Sequence, residues 1–451
     1  MCARTFSGEF FEGAKQIEST LSQLGEALPE QSSSSEILNS VEEMLEKLAS
    51  YSISELKDLK RMDDSVKKIT MLFLRQLHFC YFIISPEKQP IVTTKMIQLT
   101  LSHGMCETSP LAFAIFGSML GKLGNIEKGY QYTKLAKQLV EENTFYESSG
   151  VVISTAAQLL CYVEPVQAVV PLFIEARERS MSAGDAANAC LSILQYCNEG
   201  YISGIDLSKL KEKCFQARQL MKQLGHFTAL SHLVILERHL QSLMGAAWEG
   251  DHHVPEDEEE VKEANPHTIF FSIIYKLTNN FMFRRYSATK SVLQQFLAHN
   301  RVDWTLMFGQ SDVTFTFGLV VFWITRVSKE PNLKHAGIKA KEAMQRWTTS
   351  SKWNFEHKLL LLDAEENFCD GNFDQAKPLY AKAIKSAKEH RFVNGEAIAC
   401  ELAGYFYLEM GDKNTAKDYF IKAHERYLTW GALGKAATLN QEIKKLSTED
   451  K

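Results

Sequence analysis

Few residues in this 451-residue chain have the type and spacing to do chemistry. His252 and His253 stand beside seven acids between Asp251 and Glu263, and imidazole and carboxylate are competent metal ligands. Adjacent ligands in a polar loop fix no coordination geometry and must be ordered at a large entropic cost, so no metal is expected there. Glu365 and Glu366 are neighbours on a helical stretch, point apart, and make no acid–base pair. Gly117, Gly121 and Lys122 come nearest to a phosphate-binding loop, but the spacing is wrong and Leu123 stands where a magnesium-binding hydroxyl belongs. His78, His103 and His232 have no arranged acid or nucleophile. Arg284, Arg285, Tyr286 and Lys290 form a small basic group, too short a stripe for nucleic acid.

The nine cysteines, at positions 2, 80, 106, 161, 190, 197, 214, 369 and 400, contain no C-x-x-C pair. They read as reduced core thiols of a cytoplasmic protein, with Cys190 and Cys197 on one helix face. No catalytic residue, cofactor or metal is assigned, and the chain is expected not to be an enzyme. The candidates for contact with a partner are Asn354, His357, Lys358, Arg284 and Arg285. For Asn354 and Phe355 the competing reading is a helix cap with its staple.

These residues must be positioned by helices. Composition is that of a globular protein, with 45% hydrophobic and 23% charged residues, and glycine (24) and proline (10) are sparse. A net charge of −5 gives no electrostatic footprint for nucleic acid or an anionic membrane. The N-terminus lacks a secretory pattern. The most apolar stretch, Val313 to Ile324, falls short of the ~20 residues that span a bilayer and reads as a buried helix. A polar break at Gln31–Glu36 precedes a helical pattern at Val41, Met44, Leu45 and Leu48.

Self-comparison decides the fold. Gly371 and Gly411, Ala376 and Ala416, Tyr380 and Phe420, and Ala383 and Ala423 match at an offset of 40 residues. Spacings of four and three stack on one helix face, where small residues admit a neighbouring helix and the aromatic fills the wedge. Weaker copies place Gly129, Thr133 and Ala136, then Ala168, Leu172 and Glu175, then Ala288, Val292 and Gln295, in the same register. Gly431 suits a helix C-terminus, with Trp430 buried against the preceding hairpin. The fold class is therefore all-α, an α-solenoid of tetratricopeptide-like antiparallel helix hairpins. The expected organisation is a loosely ordered segment (1–40), an N-terminal repeat half (41–247), an acidic linker (248–266) and a C-terminal repeat half (267–447).

The stretch from Trp353 to Leu439 resembles the helical region of large multidomain signalling kinases, where it follows a STAND-like AAA ATPase module. The marks are Asn354-Phe355, His357-Lys358, Glu365, Tyr380 with Ala383-Ile384, Phe392, Glu396-Ala397, Glu401 with Leu402-Ala403, Phe406-Tyr407, and Tyr427 with Trp430-Gly431-Ala432 and Lys435. Leu101–Leu139 and Phe270–Lys290 resemble upstream parts of the same region. No phosphate-loop or kinase signature accompanies them, so the family's catalysis is not carried over. The resemblance implies a non-catalytic protein-binding scaffold associated with an ATPase or kinase. The alternatives are the helical part of a larger signalling protein and a trafficking adaptor. Its partners would be proteins, with neither nucleic acid nor membrane insertion expected.

Overall fold

A computed structural model of the chain describes residues 10–29, 33–142, 145–245, 266–298 and 309–448. These residues form 21 α-helices and one short 3-10 turn, and their only β-type pairing is an isolated bridge between Arg61 and Met105. None of the described helices is long and apolar enough to cross a membrane. The fold is all-α, built from antiparallel hairpins in tandem. Two compact units emerge, residues 1–160 with 178–185, and residues 161–177 with 186–451. The division thus falls near 160 and not near 247. The acidic linker lies outside the described residues except for Pro266, which opens a helix.

In the first unit, α1 (Phe10–Gln23) buries Ala14, Ile17 and Leu21 and packs on α4 (Ser65–Ile84). The part of residues 1–40 that is described is therefore helical and docked where a loose segment was expected. α2 (Ser34–Ala49) and α3 (Ile53–Lys57) each open with a capping box, Ser33 with Glu36 and Ser52 with Glu55, which satisfies orphan amides reciprocally. α5 (Gln89–His103), α6 (Ser109–Lys122), α7 (Ile126–Glu142) and α8 (Tyr146–Leu160) follow. α6 and α7 approach so closely that a Cβ on Gly117 would lie 2.5 Å from the Gly129 carbonyl oxygen. Gly129 and Thr133 face this contact, and both are buried together with Ala136.

α9 (Val166–Ser182) leads to α10 (Ala186–Ile202), α11 (Leu207–Gln223), α12 (Phe227–Met244), α13 (Pro266–Met282) and α14 (Tyr286–Ala298). Then come α15 (Gln310–Ser328), α16 (Pro331–Ser350), α17 (Lys352–Cys369), α18 (Phe373–Glu389), α19 (Val393–Glu409), α20 (Lys413–Trp430) and α21 (Leu433–Thr448). The two strongest repeats are the neighbouring hairpins α17–α18 and α19–α20. Their shared positions Ala376, Tyr380, Ala383, Ala416, Phe420 and Ala423 are all fully buried.

The two strongest hairpins turn on Schellman caps. Gly371 (φ 77°) donates to the Phe368 carbonyl while Asn372 donates to that of Asn367, and Gly411 and Asp412 repeat the pattern on Leu408 and Tyr407. Gly431 does the same, as the sequence implied, and Trp430 is buried with its ring 5.7 Å from that of Tyr201. Two turns use arginine in the left-handed conformation, Arg284 (φ 53°) and Arg391 (φ 63°).

The arginine at 284 explains a register error. Counting five residues from the left-handed position gives Ala376, Ala416 and Gly129 in the glycine turns, and Thr289 after Arg284. The buried set in α14 is accordingly Thr289, Leu293 and Phe296, one residue later than Ala288, Val292 and Gln295. α9 shows the same slip, burying Val169, Phe173 and Ala176 in place of Ala168, Leu172 and Glu175. One residue is about 100° of helix rotation, enough to change the buried face.

Arg391 is exposed and gains nothing visible for its strained backbone. Left-handed geometry costs an L-residue about 1–2 kcal/mol, and glycine's extra unfolded entropy cancels only part of that. Arg391→Gly is expected to raise stability by about 0.5–1 kcal/mol in a urea titration. A lowered midpoint would contradict this.

The second unit closes on itself. α21 packs against α12, where Gly434 and Gly245 meet so closely that a Cβ on Gly434 would lie 2.8 Å from the Gly245 amide nitrogen. α15 runs through the interior, with every residue from Val313 to Arg326 buried. Its apolar run is packed inside the unit.

Candidate functional site

Polar and charged side chains line this closed interior. Asn354, His357 and Lys358 sit there, 3–4% exposed, and not on a contact surface. α17 begins at Lys352, so Asn354 is inside the helix and is not its N-cap. Its amide nitrogen donates to the carbonyls of Cys161 (2.9 Å) and Glu164 (2.7 Å), and its Oδ1 accepts from the Val166 amide (3.0 Å). One side chain thereby satisfies the turn before α9. Asn394 does the same for the α10 terminus, donating to the carbonyls of Tyr201 and Ile202, and the Trp430 indole donates to the Ile205 carbonyl (3.1 Å). Buried backbone groups at turns need partners, and these asparagines supply them.

Lys358 approaches Asp312 (Nζ–Oδ1 3.7 Å). Burial lowers its pKa, opposed by Asp312 and Glu199. Burial also raises Asp312 and pushes Glu199 up to about 7, although Glu199 accepts from the Gly309 amide (3.3 Å) and feels Lys358. His357 stacks on Phe392 (4.4 Å between rings) and crowds Gly395, whose added Cβ would lie 2.8 Å from its ring. Burial holds this imidazole well below its usual pKa, helped by Lys358 and His390.

Beside this group, His239 bridges Tyr201 (2.8 Å at Nε2) and Asn279 (2.9 Å at Nδ1). The Asn279 oxygen assigns the proton to Nδ1, so Nε2 accepts from the tyrosine hydroxyl. Burial lowers His239 to about 4. The Tyr275 hydroxyl donates to Asn198 (2.7 Å).

A third group lies further along. Arg326 pairs with Glu365 (3.0 Å) and lies 3.7 Å over the Phe368 ring, and the Tyr380 hydroxyl donates to Glu365 (2.6 Å). Lys435 pairs with Glu401 (2.6 Å) and donates to the Met282 carbonyl, while Tyr427 donates to the other Glu401 oxygen (2.6 Å). Arg284 is held between Trp323 (4.0 Å) and Tyr405 (4.3 Å). Of the five candidate contacts only Arg285 is exposed. Arg284 serves the interior as a cation between two rings.

Chemically, the arrangement ties the chain to itself. Two small cavities adjoin it, one lined by Glu199, Lys358 and Asn354 and the other by Asp312, Tyr201 and Trp430. Each has room for about one water. Among the described residues no cluster of His, Cys, Asp and Glu could hold a metal, and eight cysteines are free thiols, seven of them buried. His252 and His253 lie outside the described residues.

Glu199, Asp312, His239 and Arg326 escaped the residue-by-residue reading. Their signal was faint: a titratable residue on an otherwise apolar helix, as Glu199 is in α10 and Arg326 at the end of α15.

No family model matches the chain. Over 105 residues it is 35% identical to hybrid signal transduction histidine kinase G of Dictyostelium discoideum, a stretch covering 23% of this chain and 3% of that protein. The chain therefore spans a small fraction of the length of this curated relative. Among solved structures, the tetratricopeptide domain of P58(IPK) aligns over 92% of this chain and 99% of its own at 10% identity, with a TM-score of 0.18. A circular tandem repeat protein aligns over 99% and 96% at 10% identity, with a TM-score of 0.14. The fold stands on the hairpins described above.

Proposed function

We propose that the chain is a non-catalytic scaffold that offers its outer helical faces to protein partners and works beside a signalling ATPase or kinase in the cytoplasm. The supporting observation is the commitment of the polar interior to the chain's own turns and ion pairs. Its adjoining cavities hold about one water each, too little for a substrate. Contacts with partners then fall to the outside, and Arg285 is the one initial candidate on that surface. The likeness to a hybrid signal transduction histidine kinase supports the signalling half. It also favours a second reading, in which these helices are one region of a larger signalling protein.

Calorimetry of the purified chain with magnesium ATP is expected to give no saturable heat. Saturable nucleotide binding would overturn the non-catalytic assignment. Crosslinked affinity capture of the tagged chain from its own cells should recover a nucleoside triphosphatase or kinase. Coat or tether components in their place would replace signalling with trafficking.

A further inference from the structure

Charge is segregated in the second unit. The inner helices α17 and α19 are acidic, whereas the outer helix α18 carries four lysines against two acids, and α20 three lysines and an arginine against two acids. Lys377, Lys382, Lys417 and Lys422 form no ion pair within the described residues, unlike Lys385 with Glu389 and Lys445 with Glu442, although Lys377 acts at longer range on the exposed Asp412. Where α18, α19 and α20 meet, Tyr407 and Tyr419 stack at 5.3 Å and 10°. Lys377 lies over Tyr407 (5.7 Å) and Lys422 over Tyr419 (4.9 Å). Phe373, four residues before Lys377 and 6.4 Å from the Phe406 ring, is 39% exposed, and Met410, three residues beyond Tyr407, is 43% exposed.

We propose that this outer face, centred on Tyr407, Tyr419, Lys377 and Lys422, docks a protein segment in which carboxylates flank an apolar side chain. The inference rests on the scaffold reading and names the partner's chemistry. Charge complementarity argues for acids, because the unpaired ammonium groups cannot all be neutralised by the chain itself. The exposed phenylalanine and methionine argue for an apolar anchor between them, since aromatic and methionine side chains favour interface cores. Single-stranded nucleic acid fits less well. Bases bind by stacking on open aromatic faces, and here each tyrosine ring is stacked on the other and has a lysine over it. The acids Asp374, Asp418 and Glu425 on the same helices would also repel a continuous phosphate backbone. An anionic membrane would meet the same acids.

The test titrates the full chain with a fluorescein-labelled peptide in which four glutamates flank a leucine, read by anisotropy. Binding is expected, weakening as salt rises. Lys377→Glu combined with Lys422→Glu should weaken it at least tenfold with helicity unchanged by circular dichroism, and Met410→Asp should weaken it several-fold. Lys385→Glu with Lys445→Glu, the same charge change elsewhere, should leave it intact. Equal losses in both double variants would reduce the effect to net charge and overturn the face. So would no binding at all, or tighter binding of a single-stranded oligonucleotide or of vesicles containing phosphatidylserine. If the reversed double variant still captured the cellular partner in full, the docking face would be wrong and the scaffold reading would stand.

Discussion

Glu401→Leu is expected to destabilise the second unit by about 3–5 kcal/mol, because it leaves Lys435 charged and buried without its counter-ion. Lys435 is 2% exposed, and its ammonium contacts Glu401, the Met282 carbonyl and the faces of Phe283 and Tyr427 among the described residues. Removing the carboxylate also leaves the Tyr427 hydroxyl without an acceptor. Lys435→Met alone should cost a similar amount by stranding Glu401. The double variant Glu401→Leu with Lys435→Met removes both charges at once, and replacing a buried pair by apolar side chains is often neutral. It should therefore recover most of the loss, leaving the unpaired tyrosine at about 1–3 kcal/mol. The first unit's residues, 1–160 and 178–185, contain no tryptophan, and Trp323, Trp347, Trp353 and Trp430 lie in the second, so urea unfolding followed by tryptophan fluorescence leaves the first unit silent. Single variants that unfold like the wild type would mean the pair is solvated, and additive losses in the double variant would mean that the two residues are not coupled.

How much of this was legible follows from the same residues. Asn354, His357, Lys358, Glu365, Tyr380, Glu401, Tyr427, Trp430 and Lys435, read first as marks of a resemblance, are the residues that build the interior ion pairs, ring contacts and turn hydrogen bonds. Their identities stood out in the sequence. Their burial did not, because a helix pattern shows which face is polar, and only tertiary closure shows that this face turns inward. Local rules that depend on a few neighbouring residues worked at the glycine turns, the 40-residue repeat and the buried helix at Val313–Ile324, whereas the cap read at Asn354 fell inside α17. The register after Arg284 failed because an arginine took the backbone conformation that glycine advertises.

The interior also sets a pH response that Glu199→Gln should expose. Burial raises Glu199 from 4.5 to about 7 in the folded chain. Between those values the folded state holds more protons than the unfolded state, so this residue's contribution falls as pH rises from about 4.5 to 7. A shift of that size corresponds to roughly 3 kcal/mol. Asp312, also raised, acts in the same sense above its ordinary range. His239 acts oppositely. Burial lowers it from 6.5 to about 4, so its contribution is present above 6.5 and is lost as pH falls toward 4. His357 is lowered as well and works in the same direction. Burial also lowers Lys358, so between its folded and its ordinary value the folded chain holds fewer protons and stability rises with pH. In the wild type the glutamate and histidine slopes therefore oppose each other between about pH 4.5 and 6.5, and tryptophan-monitored stability should change little there. Glu199→Gln removes the falling limb. Its stability should climb by roughly 3 kcal/mol from pH 4.5 to 6.5 and exceed the wild type at pH 8. The amide oxygen can still accept from the Gly309 amide, so the gain at pH 8 isolates the buried charge. Parallel pH profiles for the two proteins would show that Glu199 stays ionised in the fold and that this carboxylate is hydrated through the cavity beside Lys358.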